Sequence, residues 1–206
     1  MQAVENNAII VAEDADLNMT VRAILFGAVG TAGQRCTSTR RLIVHESIID
    51  QVNEALVNAY KQVKIGDPLD PETLMGPLTD ESAVGYFEAA VASSVNEGGK
   101  VLTGGKRLDR PGSFVEPTII LAKNEWQIVQ DETFAPILYI FEVDDLEQAI
   151  DFVDTALVGQ KQDHMILGFD LGVMVRDDDL FATHDGTDTG PRRQPDILHH
   201  SADHLG

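Results

Sequence analysis

The chain has 206 residues, of which 43% are hydrophobic, enough for one large domain with a buried core or two small ones. A formal net charge of −19 argues against nucleic-acid and anionic-membrane partners, which need basic surface, and no run of 18 apolar residues is present to cross a bilayer. One cysteine, Cys36, excludes an internal disulfide, and with no basic, apolar leader at Met1 the expected compartment is the cytoplasm.

In chain order, Ala8–Ala12 is a short apolar run expected to form a buried strand. Asp16 can cap a helix whose apolar positions Leu17, Val21, Ile24, Leu25 and Ala28 fall on one face, with Gly27, Gly30 and Gly33 expected to break it. Thr39–Val44 is strand-like. Ser47 and Asp50 resemble a capping box opening a helix with Ile49, Val52, Leu56, Ala59 and Val63 inward, ended by Gly66-Asp67-Pro68. Asp80 starts another, with Val84, Phe87 and Val91 on one stripe and Gly98-Gly99 at its end. Val101–Thr103, Phe114–Leu121 and Ile137–Val143 read as strands. Asp144 and Glu147 precede a helix running to about Val153. Strands alternating with helices of this length predict an α/β domain with a mostly parallel sheet flanked by helices.

The character changes near Ala156. From Leu157 to Gly206 there is no glutamate, aspartate is plentiful, and five of the six histidines occur. The expected division is therefore a folded unit over 1–156 and a divergent, poorly ordered tail over 157–206, with Met165–Val175 alone able to form a strand or two. His184-Asp185 and His199-His200 match no metal-ligand spacing, so no metal site is expected.

Chemistry concentrates at Gly30-Thr31-Ala32-Gly33-Gln34-Arg35-Cys36-Thr37, between a helix and a strand. Glycines there let backbone approach a ligand, and N–H groups at Cys36 and its neighbours can face a developing oxyanion. Arg35 is placed to favour the thiolate of Cys36, the nucleophilic form. The alternative for a lone cysteine is a small buried hydrophobe.

Gly33-Gln34-Arg35-Cys36-Thr37 resembles the cysteine motif of the aldehyde dehydrogenase superfamily, and Glu132-Thr133-Phe134-Ala135-Pro136 is similar to its Glu-x-Phe-Gly/Ala-Pro motif. Between them Gly66-Asp67-Pro68, Gly76-Pro77-Leu78, Glu97-Gly98-Gly99, Gly104-Gly105 and Val115-Glu116-Pro117-Thr118 follow the same family. Ala28–Thr37, Glu132–Tyr139 and Asp109-Arg110-Pro111-Gly112 resemble its family 7 branch, the α-aminoadipic semialdehyde dehydrogenase (antiquitin) type.

The resemblance implies a partial aldehyde dehydrogenase catalytic domain that oxidises a small aldehyde with NAD. In it Cys36 forms a thiohemiacetal and then a thioester that water releases as the acid. It implies that Glu132 holds the nicotinamide ribose hydroxyls and that Phe134 shapes the cofactor and substrate site. Arg35 is a candidate for a substrate carboxylate, which a guanidinium pairs bidentately; a surface ion pair is the alternative. The chain departs from the family in three places. Gln2 falls where the family's general-base glutamate stands, while Asn6-Asn7 survive. The NAD-binding domain, with the asparagine of the oxyanion hole, belongs upstream. The match ends near Ala156, as a shifted reading frame, an artificial junction or a degenerate gene produces. A fragment is therefore expected, with exposed sheet edges that favour association with its own copies or a partner chain. Two further readings stand beside the enzyme: a remnant or binding module that keeps a reactive thiol, and a subunit completed by another chain's cofactor domain.

Overall fold

In the computed structural model the described residues are 6–157 and 171–174. Gln2, the His/Asp tract and the expected tail other than Leu157 and residues 171–174 lie outside them.

Strand β1 (Ala8–Val11) leads into helix α1 (Leu17–Val29), which Asp16 caps by accepting from the amides of Asn18 and Met19. Thr20, Ile24, Ala28 and Val29 are its buried positions. Gly27 does not break the helix. It sits inside it because a Cβ there would meet Thr39 Oγ1 at 2.4 Å, and the Thr39 amide donates to the Gly27 carbonyl at 3.1 Å. The helix ends at Gly30, followed by a tight turn over Gly30–Gly33.

Strand β2 (Arg41–His45) precedes helix α2 (Ile49–Tyr60). The Ser47/Asp50 capping box expected there is not formed. His45 Nδ1 instead accepts from the Ser47 amide and opens a 3-10 turn over Glu46–Ile48, and α2 follows without a side-chain cap. Asp80 caps helix α3 (Glu81–Asn96), which buries Val84, Phe87, Ala90 and Ser94. Strand β3 (Lys100–Thr103) pairs with β4 (Thr118–Leu121), which is shorter than the expected Phe114–Leu121. Residues before Thr118 are held elsewhere, Val115 bridging to Arg107. The short helix α4 (Gln127–Gln130), for which the sequence offers no signal, precedes strand β5 (Ile137–Val143) and helix α5 (Leu146–Leu157). Asp145 rather than Asp144 caps α5, accepting from the Gln148 amide, while Gln148 Oε1 accepts from the Asp144 amide.

Among the described residues the strands form one sheet in the order β3-β4-β5-β2-β1-β6, where β6 is Leu171–Met174. Every pairing is parallel except β3 with β4, as the alternation of strands and helices predicts. The central strands β2 and β5 are buried almost throughout and read as continuous apolar runs, because helices cover both faces. Leu42, Ile43, Leu138 and Ile140 lie at the centre of the core with Ile24, Leu56 and Phe87. Among the described residues no helix is long and apolar enough to cross a membrane.

Two segments matter for chemistry. Residues 36–40 run directly into β2, and residues 132–136 run directly into β5. Because β2 and β5 are adjacent and parallel, with Arg41 opposite Tyr139, both segments arrive at the amino ends of the strands on the same edge of the sheet.

Candidate active site

The approach to Cys36 is strained. Thr31 (φ 55°), Ala32 (φ 52°) and Gly33 (φ 68°) are consecutive left-handed residues. Non-glycine residues, and a β-branched threonine above all, rarely adopt that region, and such strain persists only where surrounding structure enforces it. Here the enforcement is visible. Ala32 and Gly33 are buried, and Gly33 lies so close to the Ala135-Pro136 backbone that a Cβ would stand 2.3 Å from the Ala135 carbonyl oxygen. The Gln34 side chain ties the turn to a second loop: its Oε1 accepts from the Thr79 amide at 2.9 Å and its Nε2 donates to the Pro77 carbonyl at 3.3 Å.

Cys36 itself is exposed at the end of this turn, which rules out the buried-hydrophobe alternative. Its carbonyl accepts from Asn7 Nδ2 at 2.5 Å, and the same amide reaches the Ser38 carbonyl at 3.3 Å. Asn7 also accepts, through its own backbone carbonyl, from the amides of Arg40 and Arg41. One residue ahead of β1 thus fixes the backbone from Cys36 through Arg41. Asn7→Ala is expected to destabilise the chain by about 1–2 kcal/mol, the cost of leaving polar backbone unpaired, measured by urea unfolding. A change under a few tenths would mean that water replaces the amide freely.

Not every backbone N–H of the turn faces outward. The Gln34 amide donates to the Thr31 carbonyl, the Arg35 amide to Ser38 Oγ and the Ser38 amide to the Arg35 carbonyl. The turn is closed on itself around the cysteine.

Arg35 points back along α1. Its Nη2 donates to the Phe26 carbonyl at 3.5 Å, and its guanidinium lies 5.2 Å from the Phe26 ring centroid. A cation at the C-terminal end of a helix opposes the partial negative charge there, and α1 has no basic residue in its own last turn. Arg35 thus packs against the end of α1.

Glu132 and Phe134 are brought to the cysteine segment by Arg40, a residue that no motif singles out. Arg40, whose side chain is 3% exposed, places Nη2 at 3.2 Å from Glu132 Oε1. Its guanidinium lies 4.8 Å from the centroid of the Phe134 ring. It also donates to the carbonyls of Ser38 at 2.9 Å and Arg35 at 3.1 Å. Phe134 remains 45% exposed, so its ring is available on one side and backed by a cation on the other. The sequence signal for Arg40 was present: a charged residue beside the apolar run Leu42–Val44 needs a partner.

Arg41, the next residue, is structural. It is 2% exposed and donates to the carbonyls of Asn6 and Phe152 and to Asn124 Oδ1. Burial pushes its guanidinium down to about 10, so it still carries its charge at neutral pH. Burial likewise raises the phenols of Tyr60 and Tyr139, keeping both neutral core groups. No cluster of histidine, cysteine or carboxylates able to hold a metal occurs among the described residues.

The family model for the aldehyde dehydrogenase family matches residues 5–162. The chain is 51% identical over 148 residues to alpha-aminoadipic semialdehyde dehydrogenase of Mus musculus, covering 71% of this chain and 28% of that protein. It is 52% identical over 145 residues to aldehyde dehydrogenase family 7 member A1 of Brassica napus, covering 70% of this chain and 29% of that protein. Among solved structures, betaine aldehyde dehydrogenase from Staphylococcus aureus in complex with NAD+ superposes with a TM-score of 0.70 at 32% identity, over 73% of this chain and 31% of that one. The chain therefore spans less than a third of the length of the relatives it matches.

Proposed function

Since the chain belongs to the aldehyde dehydrogenase family, we propose that it is the cysteine-bearing part of an NAD-dependent dehydrogenase acting on an aldehyde of the aminoadipate semialdehyde type. The observation that carries this reading is an exposed Cys36 on a strained, closed turn, with Glu132 and an open Phe134 ring joined to the same segment through Arg40. We take residues 1–156 as the body of the catalytic-domain unit and 157–206 as a divergent region, from which strand β6 joins the sheet beside β1.

In this reading the Cys36 thiolate attacks the aldehyde carbon, and the carbonyl oxygen becomes the oxyanion of a thiohemiacetal. The Gln34, Arg35 and Ser38 amides are committed within the turn, which leaves the Cys36 and Thr37 N–H groups as backbone donors for that oxyanion. Loss of hydride from the carbon leaves a thioester on Sγ, and water then cleaves the C–S bond to give the acid and the free thiol. Glu132 and Phe134 fit the nicotinamide end of NAD: a carboxylate accepts from a ribose diol, and a half-exposed ring offers a flat apolar wall. NAD, when bound, supplies the hydride acceptor. Arg35, set against α1 through one Nη2 contact, keeps other guanidinium donors for a substrate carboxylate.

A second reading has one observation in its favour, the small share of the relatives' length that the chain spans. It is a reactive thiol without turnover, or a subunit that meets its cofactor domain on another chain. NADH formation from aminoadipate semialdehyde and hydrolysis of an activated ester separate the readings. The dehydrogenase reading expects both from the purified chain, each falling by about 1000-fold or more in Cys36→Ala. Ester hydrolysis without NADH leaves the thiol reading standing. Loss of neither activity in Cys36→Ala removes the nucleophile altogether.

A further inference from the structure

We propose that Arg40 is a positioning residue that sets the place of Glu132 and Phe134 relative to Cys36. The inference rests on the reading of Cys36 as nucleophile and of Glu132 and Phe134 as its cofactor-side neighbours.

Its side chain meets both segments at once. Two guanidinium nitrogens donate to the carbonyls of Arg35 and Ser38, the residues that flank the Cys36-Thr37 pair. The same Nη2 that serves Arg35 reaches Glu132 Oε1 at 3.2 Å. The Phe134 ring lies against the guanidinium, 4.8 Å from centroid to Cζ. The backbone of Arg40 is fixed too: its amide donates to the Asn7 carbonyl and its carbonyl accepts from the Tyr139 amide on β5. A planar fork with donors in several directions suits these tasks, and a lysine ammonium, a compact point charge, does not. The pair is nearly dry, with side chains 3% and 17% exposed, so its charges act on their surroundings with little screening. Among the described residues, the charged groups tied to the Cys36 segment are Arg35 on its own turn, Arg40 at the head of β2 and, through Arg40, Glu132 ahead of β5.

If Arg40 holds Glu132 near the thiol, the effect of Glu132 on that thiol must depend on Arg40. The pH profile of Cys36 alkylation by iodoacetamide reads this on the full chain, without aldehyde or NAD. Glu132→Gln removes a nearby negative charge and is expected to lower the midpoint by about 0.5 pH unit. In an Arg40→Met background the same change is expected to shift it by less than about a third as much, because the carboxylate is no longer held there. Arg40→Lys, which keeps the charge and loses the fork, is expected to lie between the two. It also replaces Arg40→Met as the background if the methionine variant does not fold by near-UV circular dichroism. An equal shift in both backgrounds, or no shift from Glu132→Gln alone, overturns the proposal. A structural weakening without positioning moves melting temperatures and leaves the two shifts equal. Failure of the dehydrogenase reading shows separately, as absent NADH with the coupling intact.

Discussion

Gly33→Ala is expected to cost the chain about 3–5 kcal/mol, enough to unfold much of a marginally stable domain. Two effects add. An alanine at φ 68° sits in the left-handed region, at about 1–2 kcal/mol. Its Cβ would also meet three backbone atoms of Ala135 and Pro136 between 2.3 and 2.8 Å, where no side chain can swing aside, an overpacking cost of about 1–3 kcal/mol or more. Gly98 separates the two effects: it has φ 100°, and a Cβ there would meet nothing within 4 Å, so Gly98→Ala should show the backbone strain alone. Urea unfolding of the two variants is the measurement. Equal losses would mean that the turn and the residue 135–136 backbone are not locked together. The predicted excess at Gly33 instead makes this contact the fixed point from which the distance between Cys36 and Glu132 is set.

The second large effect is expected at Arg41. Its guanidinium joins Asn6 ahead of β1, Asn124 ahead of α4 and the Phe152 carbonyl on α5. Asn6 in turn donates to the Val129 carbonyl at 2.5 Å, and Gln130 donates to Asn124. Arg41→Met keeps much of the volume of the buried stem and removes a donor from three acceptors; the Phe152 carbonyl keeps Asn124 Nδ2 at 3.3 Å and Asn124 Oδ1 keeps Gln130 Nε2 at 3.4 Å, while the Asn6 carbonyl loses its side-chain donor. A buried acceptor without a donor costs about 1–3 kcal/mol, and the two weakened acceptors add less, so about 2–3 kcal/mol is expected. Arg41→Lys should recover part of this, since one ammonium cannot reach three acceptors spread around a plane. Full recovery by lysine would show that charge rather than the fork matters, and a neutral Arg41→Met would show that the three carbonyl and amide oxygens find water.

The sequence disclosed whatever is local. Asp16 and Asp80 announced their helices because a cap and an apolar stripe lie within a few residues of each other. Strand β5 matched its apolar run at both ends. Errors came where a tertiary contact overrode local grammar. Gly27 reads as a breaker but is inside α1, because Thr39 passes against it. Val115 reads as strand, yet its pairing with Arg107 takes it away from β4. Helix α4, four residues long, is too short to show a period.

The site divides the same way. Cys36, Glu132 and Phe134 stand out in motifs, each readable within five residues. Arg40, Asn7 and the Gly33 contact do not, because their meaning lies in partners 29 residues away for Asn7 and Cys36 and about a hundred for the others. The position on the sheet was hidden as well. Open parallel sheets usually bind ligands beyond the carboxyl ends of their strands. Here both motifs enter at the amino ends of β2 and β5, which only the register Arg41 with Tyr139 reveals.

That register also sets an order of events during synthesis. Glu132 lies 96 residues after Cys36, and β2 cannot gain its neighbour β5 until Val143 has been made. At ribosomal rates the thiol emerges about 5–20 s before the segment that faces it. For that interval Cys36 belongs to a nascent chain, open to any electrophile or oxidant and without the wall that later confines its reach.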